Sequence, residues 1–443
     1  MLKTFRIGGI HPPENKLSAN AEIENFPVPR QVIIPLAQHI GAPANLLVKK
    51  GDLVQVGTLL AESAGFISAN IHSSVSGRVA KIDQAMGASG YRKMSVFIDV
   101  EGDEWDAAID KSDIFIDTCD FTAKEIISKI AAAGIVGMGG AAFPTLVKLN
   151  PPLGMSAEIL IVNGVECEPY LTSDHALMMS KGKEILVGTQ LLMRSLGALK
   201  GAIGIENNKK DAIKLMKELA LAYTDIEIVP LKVRYPQGGE KQLVEAITNR
   251  QIASGSLPIS VGAVVQNIGT VFAVYEAVQK NKPLIERVIT VTGKHLAKPC
   301  NLRVRIGTSI ADLIEYAGGL PEDTGKVIFG GPMMGKALVT MAVPVVKACS
   351  GILILPSLES KREFASDCIR CAKCVDVCPM GLVPNYLMTV SDFADWGKAE
   401  KFDIVDCIEC GSCTYICPAN RPLLDYIRIG KVKVGSIIRA RKN

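Results

Sequence analysis

Two short stretches restrict this chain more than anything else in it. CIRCAKCVDVCP (368–379) and CIECGSCTYICP (407–418) share the spacing C-x2-C-x2-C-x3-C-P. Three thiolates set that closely can wrap three corners of one iron–sulfur cube. The fourth, followed by Pro379 or Pro418, leaves its loop heading for the duplicate, where it ligates the other cluster. The predicted sets are therefore Cys368, Cys371, Cys374 and Cys417 on one [4Fe–4S] cluster, and Cys407, Cys410, Cys413 and Cys378 on the other. Structural zinc is the competing reading, but it more often uses two separated C-x2-C pairs per ion. Crossed ligation also predicts a compact, pseudo-twofold C-terminal domain with its clusters close together.

Eight of the twelve cysteines fall in these runs, leaving Cys119, Cys167, Cys300 and Cys349 scattered. In a chain of 443 residues whose opening, MLKTFRIGGIHPPENK, lacks the apolar core of a signal peptide, that distribution favours metal ligation over disulfides. The length predicts several domains. A formal net charge of +4 is too small for a dedicated nucleic-acid binder. The most membrane-like run, Val339 to Pro356, is broken by Lys347 and two prolines, and reads as buried strands rather than a spanning helix.

The chain reads as multidomain α/β. After an arm (1–30), residues 31–105 alternate short apolar runs with Gly51, Gly57 and Gly77, as tight hairpins require. This resembles a biotinyl/lipoyl-like barrel, but ESAGFISAN, where such carriers display a lysine, has none; a structural module is expected. Residues 118–286 alternate strands and helices, predicting a mostly parallel sheet with ligands outside the carboxyl ends of its strands. Thr122 and Glu125 sit at capping-box spacing. Residues 287–356 read as a small α+β module of β-grasp type. Residues 360–430 form the helical two-cluster, ferredoxin-like domain, with Leu387, Val390 and Ala394 at helical spacing as its core. Residues 431–443 make a basic tail suited to solvent, an anionic membrane surface or an acidic partner.

Clusters pass single electrons, so a donor of electron pairs calls for a flavin. GIVGMGGAAFPT supplies Gly137, Gly139 and Gly140; VNGVECEPY places Asn163, Glu166 and Glu168 after a buried strand; YPQGGEKQL puts Gly239 and Glu240 at a helix start; VVQNIGT adds Asn267 and Thr270. In this order the segments resemble the flavin- and NADH-binding 51-kDa-type subunit of respiratory complex I. The resemblance implies FMN held by the glycine loop, the Asn-acid loop and the Asn-Thr turn. It makes Lys148 a partner of the FMN phosphate, Phe143 an adenine-stacking aromatic, and Glu168 and Glu240 the catalytic acids, with NADH as substrate. Met138, Val165 and Lys241 depart from that family's pattern at an arginine, an aspartate and a glutamate.

With GGIHPPENK (8–16) at the start and the two-cluster domain at the end, the whole chain resembles the C-type subunit of the Rnf ion-translocating electron transport complex. The resemblance implies a peripheral subunit on the cytoplasmic face of the cell membrane that oxidises NADH through FMN. It passes single electrons through the two clusters to membrane and peripheral Rnf subunits, coupled to ion transport and, indirectly, to ferredoxin. A soluble flavin–iron–sulfur reductase of the cobalamin-reductase type is the alternative. His72 and His175 read as structural histidines, and Cys167 as a small buried residue.

Overall fold

The computed structural model describes residues 2–442. The first strand, β1 (Ile23–Asn25), belongs to a sheet completed much later in the chain. The barrel follows. Strands β2 (Gln31–Pro35), β4 (Leu53–Val54), β7 (Gly77–Met86) and β8 (Arg92–Val100) form one antiparallel sheet in the order β2-β8-β7-β4; β3 (Asn45–Leu46), β5 (Leu59–Glu62) and β6 (Ile71–His72) form the other. Period-two alternation turns Val32, Ile34, Leu60, Ile71, Val79, Val96 and Ile98 into one shared core. Gly51 and Gly57 make their turns at φ of 93° and 99°, where a side chain would be strained.

The α/β unit runs α1 (Ala123–Ala132), α2 (Thr145–Lys148), β9 (Ile159–Asn163), α3 (Ser173–Leu196), β10 (Lys200–Glu206), α4 (Lys210–Ala220), β11 (Ile226–Leu231), α5 (Glu240–Thr248), β12 (Ala263–Asn267) and α6 (Ile268–Gln279). All pairs in its sheet are parallel, in the order β11-β10-β9-β12. Leu160, Val162 and Ile203 face one core and Ile161, Ala202 and Val229 the other, which is why these strands read as unbroken apolar runs. Thr122 and Glu125 do close a capping box on α1. The carboxyl ends of the four strands, at Leu231, Glu206, Asn163 and Asn267, form one edge.

Next come β13 (Glu286–Thr292), β14 (Cys300–Arg305), α7 (Ile310–Tyr316), β15 (Thr324–Phe329), β16 (Lys336–Ala337) and β17 (Gly351–Pro356), in a mixed sheet of order β1-β14-β13-β17-β15-β16. Here the arm is spliced in: β1 pairs in parallel with β14, Ile23 opposite Asn301. The run from Val339 to Pro356 is buried strand only at β17. Its first part is an irregular segment with Val343, Val345 and Lys347 buried, so the expectation of strands throughout is corrected. The Lys347 ammonium is satisfied by the carbonyls of Asn70 and Gly134, each at 2.7 Å, which ties this segment to both the barrel and α1's end.

The C-terminal unit contains α8 (Ser357–Ser360), α9 (Lys373–Asp376), α10 (Pro384–Asp392), α11 (Trp396–Lys401), α12 (Ser412–Tyr415) and α13 (Leu423–Lys442). The helix expected between the cysteine runs is broken in two by Ala394 at φ 53°. Leu387 and Val390 are core, but the break leaves Ala394 exposed. The basic stretch from 431 is not a tail. It is the second half of α13, anchored by fully buried Val434 against the cluster of Leu387 and Ile404.

Candidate redox centres

The two cysteine loops repeat each other in backbone as well as sequence. Arg370 and Glu409 take φ of 57° and 58°, Ala372 and Gly411 take 60° and 79°, and Gly381 and Asn420 take 66° and 51°. Left-handed residues alternating with right-handed ones turn successive N–H groups to one side, the concave arrangement that suits iron–sulfur sites. Glu409 N–H points at Cys407 Sγ and Leu382 N–H at Cys378 Sγ, both at 3.4 Å.

Between the loops lie two cavities, and the cysteines divide between them in the two sets expected from the spacing. One is lined by Cys378, Cys407, Cys410 and Cys413 with Pro379, Leu382, Leu387 and Ile427. The other is lined by Cys368, Cys371, Cys374 and Cys417 with Asn385, Tyr386 and Arg421. Each quartet lines one hollow, three cysteines from its own run and one from the other, although among the described residues no three Cys, His, Asp or Glu side chains stand close enough together to hold a metal ion. Burial pushes the Cys407 thiol up to about 11 and Cys413 up to about 12, so iron must displace protons to bind there. The second hollow is different: Cys368 and Cys371 are exposed.

The carboxyl edge of the parallel sheet gathers most of the other predicted residues. Asn163 ends β9 directly beside Asn267, which ends β12. Asn163 Nδ2 donates to the Gly238 carbonyl at 2.9 Å, drawing in the turn that carries Gly239 and Glu240. Asn267 caps α6 by accepting from Gly269 N–H at 2.9 Å. The glycine loop folds over this edge: Gly137 N–H donates to the Phe143 carbonyl, and Met138 N–H to Thr270 Oγ1, both at 2.8 Å. Gly139 and Gly140 are exposed, and a Cβ on Gly140 would meet open space. Lys148 Nζ reaches Glu240 at 2.6 Å and the Val265 carbonyl at 2.9 Å. Exposed loop glycines and one lysine beside these strand ends are chemistry that would suit a flavin phosphate.

Two acids of the loop after β9 are engaged by backbone donors. Glu166, at φ 48°, reverses the chain so that its carboxylate accepts the N–H groups of Asp174 (2.7 Å) and His175 (3.2 Å), capping α3. Glu168 accepts the N–H groups of Met333 (3.1 Å) and Met334 (2.8 Å) in the β-grasp module's glycine turn. Both side chains hold elements in place, Glu166 at the start of α3 and Glu168 at the turn of the β-grasp module. Phe143 is half-buried, and its backbone closes the glycine loop. His175 is held by Asp211 at 3.0 Å, and Cys167 receives Gly238 N–H at 3.4 Å.

Sequence reasoning noticed GGIHPPENK without seeing its work. Gly9 N–H donates to the Val377 carbonyl of the first cysteine run at 2.8 Å, while Ile10 and Tyr235 exchange two backbone bonds at 2.9 Å. Arg234 grips the carbonyls of Phe5 and Gly8. Tyr235 Oη donates to the Cys410 carbonyl at 2.8 Å, and Gln242 Nε2 to the Pro379 carbonyl at 3.2 Å. Further along the arm, Lys16 Nζ donates to the carbonyls of Glu166, Glu168 and Leu171 at 2.8, 2.9 and 2.6 Å. The arm is the mortar between the nucleotide-type sheet and the enclosed cysteine hollow. Only the two adjacent glycines hinted at so close an approach.

A barrel, a parallel α/β sheet with a glycine-walled edge, a β-grasp module and a pair of crossed cysteine hollows define a flavin- and iron–sulfur-type redox protein. The Nuo51 FMN-binding domain matches residues 130–276, the RnfC barrel sandwich hybrid domain residues 3–103, the SLBB domain residues 288–337 and the 4Fe-4S dicluster domain residues 361–418. The chain is 44% identical to the C-type subunit of the proton-translocating ferredoxin:NAD(+) oxidoreductase complex of Clostridium ljungdahlii, over 97% of this chain and 93% of the relative. It is 43% identical to the counterpart in the Na(+)-translocating complex of Acetobacterium woodii, over 97% of each. It therefore belongs to the RnfC family of ion-translocating ferredoxin:NAD(+) oxidoreductase subunits. A solved NAD+-reducing [NiFe]-hydrogenase in the H2-reduced state shares the fold, with TM-score 0.50 and 18% identity over 70% of this chain and 63% of that one.

Proposed function

We propose that this chain is the NADH-oxidising subunit of an Rnf-type complex, seated peripherally on the cytoplasmic face of the membrane beside the other Rnf subunits and acting on ferredoxin only through them. Among the described residues no helix is long and apolar enough to cross a membrane. FMN, when bound, accepts an electron pair from NADH and releases it singly, and the two [4Fe–4S] clusters carry single electrons onward. The chain's own residues do the rest. Gly137, Gly139, Gly140, Asn163, Gly239, Asn267 and Thr270 form the hollow for FMN, and Lys148 stands ready to exchange Glu240 for a phosphate.

The observation that carries this reading is the contact train from the flavin edge to the enclosed hollow. Tyr235, three residues before Gly238, bonds the backbone of Cys410. The quartet of Cys378, Cys407, Cys410 and Cys413 is therefore the inlet cluster. The quartet containing exposed Cys368 and Cys371 is the outlet. Anaerobic mixing of the purified protein with NADH tests it. Flavin bleaching followed by reduction of both clusters, without added partners, is the expected result. Protein that holds FMN and iron yet is not reduced by NADH would reduce the chain to a passive conduit.

A further inference from the structure

Behind the glycine loop lies a buried cation that the reading above leaves unused. Arg287, in β13 of the β-grasp sheet, is only 4% exposed. Its guanidinium donates to three backbone carbonyls: Cys349 at 2.6 Å, Lys347 at 2.9 Å and Met138 at 2.7 Å. The first two bonds hold the guanidinium in its own module. The third reaches across the module boundary into the glycine loop.

Met138 is thereby pinned on both sides, since its N–H donates to Thr270 Oγ1 at 2.8 Å. In a planar trans peptide the carbonyl and the following N–H point in opposite directions. With the Met138 carbonyl turned back to Arg287, the Gly139 N–H faces outward, to the exposed side of the loop. A Cβ on Gly139 would stand 3.5 Å from the Asn267 side chain, so this part of the loop lies against the carboxyl end of β12. Among the described residues the Gly139 N–H has no acceptor. Asp174 accepts from Asn267 Nδ2 at 2.7 Å and lines the same pocket as Arg287, and burial raises its carboxyl to about 7.

We propose that Arg287 is a positioning residue: it holds the glycine loop so that the Gly139 N–H is aimed at the phosphate of bound FMN. The inference rests on the flavin reading above. A preset donor of this kind costs nothing to orient when the anion arrives, and a hydrogen bond to a charged group is worth more than one to a neutral group.

The test uses the full chain stripped of flavin, titrated with FMN and with riboflavin, which lacks the phosphate. In Arg287→Gln the FMN dissociation constant is expected to rise about tenfold or more, while riboflavin binding changes less than about twofold. Arg287→Lys, which offers a point charge in place of a fork, should fall between the two. Equal weakening of both flavins would mark a merely structural residue and overturn the proposal, as would undiminished FMN binding. If Arg287→Gln does not fold, as judged by iron content and circular dichroism, the Lys variant carries the same FMN-to-riboflavin comparison. Wild-type protein that binds neither flavin would instead sink the flavin reading itself.

Discussion

Glu168 and Lys16 show why single letters mislead. Glu168 sits in an acidic loop beside the flavin edge, yet its carboxylate is occupied by two N–H groups from a turn more than a hundred and sixty residues later. Burial raises its carboxyl from the usual 4.5 to about 7. The native chain thus keeps a proton that the unfolded chain has released. The associated stability is complete below the unfolded value and is lost as the pH rises through about 7. Glu168→Gln cannot ionise, so its thermal midpoint should fall less steeply than the wild type's between about pH 5 and 7. Parallel curves would remove Glu168 from the account. Lys16 serves three carbonyls of the same loop, and burial lowers its ammonium from the ordinary value. Lys16→Met leaves those acceptors without a donor. A loss on the order of 2–4 kcal/mol is expected, read as a lower denaturation midpoint with weakened FMN retention. Neither role was legible in the sequence, because the partners are backbone atoms brought in from distant segments.

The features legible at the scale of elements are those whose cause is local. The capping box of α1, the glycine turns of the barrel and the apolar strands of the parallel sheet all follow from near neighbours. Features that depend on distant packing were missed. β1 is three residues whose strand character comes from β14, and α13 continues past its first turns because Val434 finds a core. The arm is the telling case. Gly8 has φ 70°, and a Cβ there would overlap the carbonyl group of Cys378. Gly8→Ala should therefore push the arm off the first cysteine run. One cluster's electron paramagnetic signal should broaden or vanish and NADH-driven cluster reduction should slow, while flavin bleaching persists. A variant with two intact signals and unaltered rates would show that the arm is only a strap.

For the whole molecule, the sorting of cysteines between the two hollows makes a directional prediction. Cys417→Ala should remove the exposed outlet cluster and leave NADH able to reduce the flavin and the enclosed cluster. Cys378→Ala should remove the enclosed cluster and leave the outlet cluster unreduced by NADH, though reducible by dithionite. Rapid-mixing spectroscopy with paramagnetic resonance separates the cases. Identical behaviour of the two variants would reverse or abolish the inlet and outlet order. The coupling ion lies outside this chain's reach: relatives of 44% and 43% identity are named for protons and for Na(+).

What the sequence by itself determined is the chemistry of the parts. Cysteine spacing sets how many thiolates can share a cube, and glycine and asparagine at strand ends set where a flavin can lie, because both depend on geometry within a few bonds. Only the tertiary structure decided which cysteine hollow lies against the Tyr235 turn, where the arm binds, and which backbone donors engage the acids. Those outcomes depend on burial and hydrogen bonds between segments far apart in the chain, and no local pattern encodes who the partner will be.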